Sequence, residues 1–310
     1  MAPEGSPPPQ EPGWDSWIGG VRALAGALSD PGGMPSGRPA GWDPGRFPWD
    51  GEGRAVARWL EGGSEDPDAA ARTGRLLEGI APVLDLLHGR EIGVVPLHGA
   101  HHLGVLYPGA GARPVEQVDL LVSPWDVARA RLVLASRGLV PVTRGWKRIV
   151  LASGEVRLAL HWGLVPRGFR EAPLGPFLED VEDGGERPLS PRMRPGAAWA
   201  AHRLLLARDL WRPSPRAALH LAETVALGSR VAEADRRKWT ERARLWRLAR
   251  LWALCDRMES WVLGGPRPPL ADGPPRSPRE RILRVASLQD GLSARLEVPV
   301  RWFWEGFRER

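Results

Sequence analysis

The sequence contains a single cysteine, Cys255. A single cysteine cannot form a disulfide within the chain. A protein without internal disulfides suits a reducing compartment, so we expect a cytoplasmic protein. Leu251, Trp252 and Leu254 are its neighbours in the sequence. This apolar setting favours a small core residue over a catalytic nucleophile.

Long hydrophobic runs are also missing from the sequence. No window approaches the roughly 18 consecutive apolar residues of a transmembrane helix. The N-terminus lacks the basic segment followed by an apolar one that is typical of a signal peptide. We therefore predict neither membrane insertion nor export. The hydrophobic fraction of 43% and the charged fraction of 26% are those of a globular protein.

Lysine is scarce, and arginine supplies almost all of the positive charge. Lys147 and Lys238 are the only lysines, and the formal net charge is +6. Clustered cations would bind the phosphates of a nucleic acid. Here the arginines alternate with acids, as in Glu241, Arg242 and Arg244, which is typical of a solvated surface. We therefore do not expect a nucleic acid as partner.

Composition and periodicity divide the chain into four segments. Residues 1–50 are rich in proline and glycine, which predicts a disordered tail that contains one candidate helix at 17–28. An α/β core is predicted at 51–165, a linker at 166–195 and a helical domain at 196–310. Apolar residues at helical spacing predict the following helices in that domain: 197–210, 215–227, 235–263 and 278–288.

The core segment shows strand and helix patterns in alternation. Ser123 followed by Pro124 predicts a helix start, with serine as the N-cap and proline at the first helical position. We predict an α/β fold in which helices cover a small mixed sheet. Its elements are a strand at 92–97, a helix at 98–106, a strand at 117–122, a helix at 124–137, a strand at 139–142 and a hairpin at 147–152 and 156–162.

Three short segments resemble the motifs of a known family. They are Leu97-His98-Gly99-Ala100, Arg113-Pro114 and Gln117-Val118-Asp119-Leu120-Leu121-Val122. They are similar to bacterial nucleotidyltransferase-like proteins of the polymerase-beta type, and the resemblance extends over about residues 70–270. It implies transfer of a nucleoside monophosphate from a nucleoside triphosphate to an unknown acceptor, with Mg²⁺ as cofactor. It also implies nucleotide contacts at His98, Gly99 and Arg113, and a catalytic and metal-binding role for Asp119.

The chemistry of this motif needs several carboxylates. Two acids at positions i and i+2 of a strand share one face, where they hold Mg²⁺ against the phosphates. A third acid from a neighbouring strand completes a two-metal site. In this sequence Gln117 and Ala159 stand where the family pattern has acids, so only Asp119 is retained. Glu116 is expected to face away from Asp119 if both lie on a strand.

Two hypotheses therefore stay open at the level of sequence. The first is Mg²⁺-dependent nucleotidyl transfer that relies on Asp119. The second is a catalytically inactive relative that binds a nucleotide or a protein partner.

Four histidines, His98, His101, His102 and His161, are predicted to lie near Asp119. The i, i+4 spacing of His98 and His102 would suit Zn²⁺ on one helix face. We favour a structural interpretation, with His98 in a turn, His101 and His102 exposed, and His161 in a hydrogen bond. The reason is that Gly99 stands where the helical zinc-protease motif has its glutamate.

Overall fold

The computed structural model describes six parts of the chain: residues 14–29, 51–61, 65–183, 189–210, 214–268 and residue 288. The helix predicted at 278–288 lies outside them, apart from its last residue. None of the helices within these ranges has the length and apolar character that would let it cross a membrane.

A five-stranded mixed sheet forms the centre of the first half of the chain, as predicted. In space the strands follow the order β1-β2-β5-β4-β3. The β2–β5 pair is parallel, and the other three pairs are antiparallel. The strands are β1 (Val94–Leu97), β2 (Val118–Val122), β3 (Val140–Gly145), β4 (Arg148–Ser153) and β5 (Val156–His161).

Five helices precede or interrupt these strands. They are α1 (Trp14–Ser29), α2 (Gly51–Leu60), α3 (Pro67–His88), α4 (His98–His102) and α5 (Val127–Ser136). The predicted start of the helix after Ser123 is wrong. Ser123 Oγ does accept a bond from the Trp125 amide at 3.3 Å, but residues 124–126 form a turn and the helix begins at Val127.

The two faces of the sheet pack into different cores. Along β2, Val118, Leu120 and Val122 belong to the core that α3 and α5 cover. Leu121 points to the opposite face and belongs to the core shared with the helical half of the chain. Because side chains alternate along a strand, Asp119 lies on the same face as Leu121. The acid therefore faces the helical half.

The second half is mainly helical. The segment predicted as a linker contains a short helix and a strand pair, and the helix predicted at 235–263 is divided in two near Arg247, whose φ is 60°. The elements are α6 (Gly175–Glu179), β6 (Val181–Glu182), β7 (Arg192–Met193), α7 (Pro195–Asp209), α8 (Pro215–Ser229), α9 (Glu233–Leu245) and α10 (Ala249–Val262).

Helix α1 packs against α8 and belongs to the helical half. Its side chains Trp17, Val21, Leu24 and Leu28 are buried, and the Arg22 guanidinium donates to the carbonyl groups at the end of α10. The candidate helix predicted at 17–28 is therefore confirmed as α1, and the prediction of a disordered tail is wrong for residues 14–29. The rest of the segment 1–50 lies outside the described residues.

Candidate functional site

A cavity of about 290 Å³ lies where the sheet meets the helical half. All four residues predicted from the sequence, His98, Gly99, Arg113 and Asp119, line it. Their roles in binding and catalysis stay predictions. The other polar residues of the lining are Glu116, Gln117, Thr143, Arg148, Arg157, Arg216, His220 and Glu223.

Strand register places Asp119 of β2 beside the last residue of β1. Asp119 pairs with Leu97 of β1 on one side and with Ala159 of β5 on the other. The predicted position of Asp119, on a strand beside the His98–Gly99 turn, is confirmed. Ala159 is fully buried next to it. At position 159, where the resemblance led us to expect an acid, the chain has a methyl group on the same face of the sheet as Asp119.

The Asp119 carboxylate is held by donors from the protein itself. Its Oδ1 accepts from His161 Nε2 at 2.7 Å and from Gln117 Nε2 at 3.0 Å, and Arg148 lies 3.5 Å away. Burial raises the pKa of Asp119, but the hydrogen bond with His161 and the charge of Arg148 outweigh burial and lower the pKa to about 2. Asp119 is therefore an anion whose charge is already compensated.

Glu116 does not behave as the sequence predicted. Strand β2 begins at Val118, so the alternation of side chains does not extend back to Glu116. Its exposed side chain lines the same cavity as Asp119. The expectation that Glu116 faces away from the site is wrong for this reason, and a second carboxylate stands at the cavity.

Arg113 forms a buried ion pair with Glu223 of α8. Arg113 Nε lies 2.8 Å from Glu223 Oε1, and Tyr107 donates to the same oxygen at 3.0 Å. His102 Nδ1 lies 3.2 Å from the other oxygen, Oε2. Burial raises the pKa of Glu223, but Arg113 and His102 together hold the pKa well below its usual range. Arg113 therefore reaches the cavity with its charge already balanced.

Glu223 was not among the site residues predicted from the sequence. The signal that would have found it is a single acid within the apolar run of α8, where Leu221, Ala222 and Val225 are also buried. A buried carboxylate in such a run requires a charged partner. The sequence does not show that this partner is Arg113.

Six of the seven histidines form one connected group beside the cavity. The prediction that His101 and His102 are exposed is wrong, because both side chains are buried and His102 lies against His202 of α7. The predicted hydrogen bond of His161 is confirmed by its contact with Asp119. The members of the group are His98, His101, His102, His161, His202 and His220.

Comparisons with known proteins bear on the family. No match is found among curated proteins. Among solved structures, the solution structure of the antibiotic-resistance factor ANT(2'')-Ia is 12% identical, with a TM-score of 0.38, and the match covers 56% of this chain and 95% of that one. The model of a family described as uncharacterised nucleotidyltransferase matches residues 65–255, more than half of the chain. The chain belongs to this nucleotidyltransferase family.

Proposed function

We propose that the cavity binds a nucleoside triphosphate and that the protein is a nucleotide-binding member of its family with a degenerate catalytic centre. The arginines support the binding. Arg148, Arg157 and Arg216 line the cavity in addition to the paired Arg113. A guanidinium offers a planar fork of donors that matches phosphate oxygens. These three cations face the two carboxylates of Glu116 and Asp119, so the lining favours an anion.

The proposal of a degenerate catalytic centre rests on one observation. The neighbours of Asp119 are neutral at the positions where a two-metal site needs acids. Gln117 donates its amide to Asp119, and Ala159 adds no ligand. Mg²⁺ requires several hard oxygen ligands in near-octahedral geometry. A single carboxylate that already accepts from His161 is a poor substitute for a two-metal site.

Direct binding of ATP, GTP, CTP and UTP, measured by titration calorimetry with and without Mg²⁺, tests this function. Loss of a charged hydrogen bond costs about 1.5–3 kcal/mol, so Arg216→Ala and Arg157→Ala should each weaken binding about tenfold or more. Arg131→Ala is the matched control, because Arg131 is an exposed arginine of α5 outside the cavity lining. No binding at millimolar nucleotide, or an equal loss in the control, contradicts the proposal.

The position of Glu116 at the cavity supports a second candidate function. Because Glu116 lines the cavity together with Asp119, two carboxylates border the space in which a metal ion would lie. In this hypothesis Mg²⁺, held by both acids and the nucleotide phosphates, supports transfer of the nucleoside monophosphate to a small molecule, a protein or an RNA end. Labelled nucleoside triphosphates incubated with the protein and a cell lysate test it. Transfer that is lost in both Asp119→Asn and Glu116→Gln supports catalysis, whereas nucleotide binding without transfer supports the first function.

A further inference from the structure

Three histidines from distant parts of the sequence meet at the edge of the cavity. His98 opens α4, His202 lies in α7 and His220 lies in α8. One nitrogen of each lies within 4.8 Å of the other two. The ring of His98 is 4.8 Å from that of His220 and 5.3 Å from that of His202, centroid to centroid. From the sequence, only histidines of the first half were predicted to lie near His98.

We infer that His98, His202 and His220 form a binding site for a divalent transition-metal ion such as Zn²⁺. Three imidazoles with an open fourth position are a common ligand set for zinc. Tetrahedral Zn–N bonds of about 2.1 Å place the ligand nitrogens roughly 3.4 Å apart. Small side-chain rotations are therefore enough to close the arrangement around an ion.

Hydrogen bonds set the tautomers that a metal would need. His220 Nδ1 lies 3.1 Å from Asp209 Oδ2, so this nitrogen carries the proton and Nε2 presents its lone pair. His102 Nδ1 lies 3.2 Å from Glu223 Oε2, an ion-pair contact that favours a proton on Nδ1 and a lone pair on Nε2, and His102 Nε2 lies 3.1 Å from His202 Nε2. His202 is then left with its lone pair on Nδ1. A carboxylate behind a ligating histidine is the usual supporting arrangement in zinc sites.

The lone pairs of His220 Nε2 and His202 Nδ1 accept no hydrogen bond from the described residues. Both atoms are buried. An unsatisfied buried polar atom is costly and calls for an explanation, such as an ion. His202 and His220 are buried, and burial disfavours a charged imidazole, so the fold favours their neutral form. Neutral imidazole is the form that binds a metal ion.

The backbone at His98 supports the same site. Its φ is 51°, in the left-handed region that non-glycine residues seldom adopt. Such conformations cost free energy and are enriched at functional sites, although Glu91, Lys147 and Arg247 also have positive φ. His98 and His220 also line the cavity, so the open position of the ion would face it. There a water molecule or a phosphate oxygen would complete the coordination. The inference itself does not depend on nucleotide binding.

Titration of the chelator-stripped full chain with Co²⁺, without nucleotide, tests the site. Tetrahedral Co²⁺ gives intense visible absorption, and Zn²⁺ should abolish it by displacement. We expect one ion per chain, unaffected by excess Mg²⁺, which prefers oxygen ligands. His98→Asn, which tolerates the positive φ, and His220→Gln should each weaken binding at least 100-fold. Asp209→Asn should weaken it 10- to 100-fold, because the supporting carboxylate is lost.

Two matched controls separate this site from other histidines. His88 is exposed at the end of α3, and His101 is buried in the same group but outside the trio. His88→Gln and His101→Gln should bind Co²⁺ within threefold of the unmodified chain. Circular dichroism and melting in chelator verify that each variant is folded. Substoichiometric binding by the unmodified chain, undiminished binding by folded His98→Asn, or equal loss in His88→Gln overturns the inference.

Discussion

A Cβ atom on Gly99 would lie 3.2 Å from the Cζ of Arg113. Gly99 therefore leaves room for a buried guanidinium directly after β1. The resemblance to the family implied a nucleotide contact at this glycine. In the structure, the space next to it holds the side chain that pairs with Glu223. This packing links the glycine of the motif to an ion pair between the two halves of the chain.

Gly99→Ala should displace Arg113 by a few tenths of an ångström and weaken its pair with Glu223. Overpacking of this kind costs about 1–3 kcal/mol. Gly93→Ala is the control, because no atom lies within 4 Å of a Cβ placed there, and we expect a change within about 0.5 kcal/mol. Urea denaturation gives both free energies of unfolding. Equal changes in the free energy of unfolding in the two variants would show that close packing of Gly99 against Arg113 does not affect stability.

Most of the sheet was predictable because β1, β2, β4 and β5 carry dense apolar runs. Val118 to Val122 are buried on both faces of β2, and the sequence shows this as an uninterrupted run apart from Asp119. The residues of the second half that reach the site were not predictable. His202 and His220 lie about a hundred residues from α4, and only tertiary packing brings them to His98. Local periodicity carries no information on such contacts.

Helix α1 is expected to contribute to stability through its buried face. Leu24 is 1% exposed, so Leu24→Ala should destabilise the chain by about 2–5 kcal/mol. Gly26 is exposed in the same helix with open space around it. Gly26→Ala should therefore stabilise the chain by about 0.5–1 kcal/mol. Melting of both variants tests this pair of opposite shifts, and the absence of both shifts would show that α1 is not docked in solution.

His101 should make the fold sensitive to mild acid. Burial, aided by the charge of Arg192 and by His102, lowers the pKa of His101 to about 3. The unfolded chain binds a proton at this residue below its ordinary pKa of about 6.5, whereas the folded chain does not. The contribution of His101 to stability is therefore full above that value and is lost as the pH falls from it toward 3.

The pH dependence of unfolding in chelator measures this effect. Between pH 7.5 and 5, His101 alone should account for a loss of about 2 kcal/mol. His101→Gln should remove this part of the loss, while the unmodified chain retains it. Carboxylates with lowered pKa values, such as Asp119, titrate below this window. Identical slopes for the two proteins would show that His101 is not held neutral by the fold.

Gln117→Asp combined with Ala159→Asp should restore metal chemistry to the cavity. Ala159 is the direct neighbour of Asp119 on β5, and the Gln117 amide already contacts the Asp119 carboxylate at 3.0 Å. Three carboxylates in one place repel one another, so the variant should melt below the unmodified chain in chelator. Mg²⁺ with a nucleoside triphosphate should raise its melting temperature more than that of the unmodified chain, because ligand binding favours the folded state.

Ser153→Asp is the control for added charge alone. It places a carboxylate at the exposed end of β4, outside the cavity lining, and should leave the response to Mg²⁺ and nucleotide unchanged. A full Mg²⁺-nucleotide shift in the unmodified chain would mean that Asp119 and Glu116 already form a competent metal site. A double variant that is folded but shows no shift would mean that positions 117 and 159 do not share a metal with Asp119. In that case the missing acids would not explain the weak metal binding that we propose, and the arginines would be left as the main determinants of the proposed nucleotide binding.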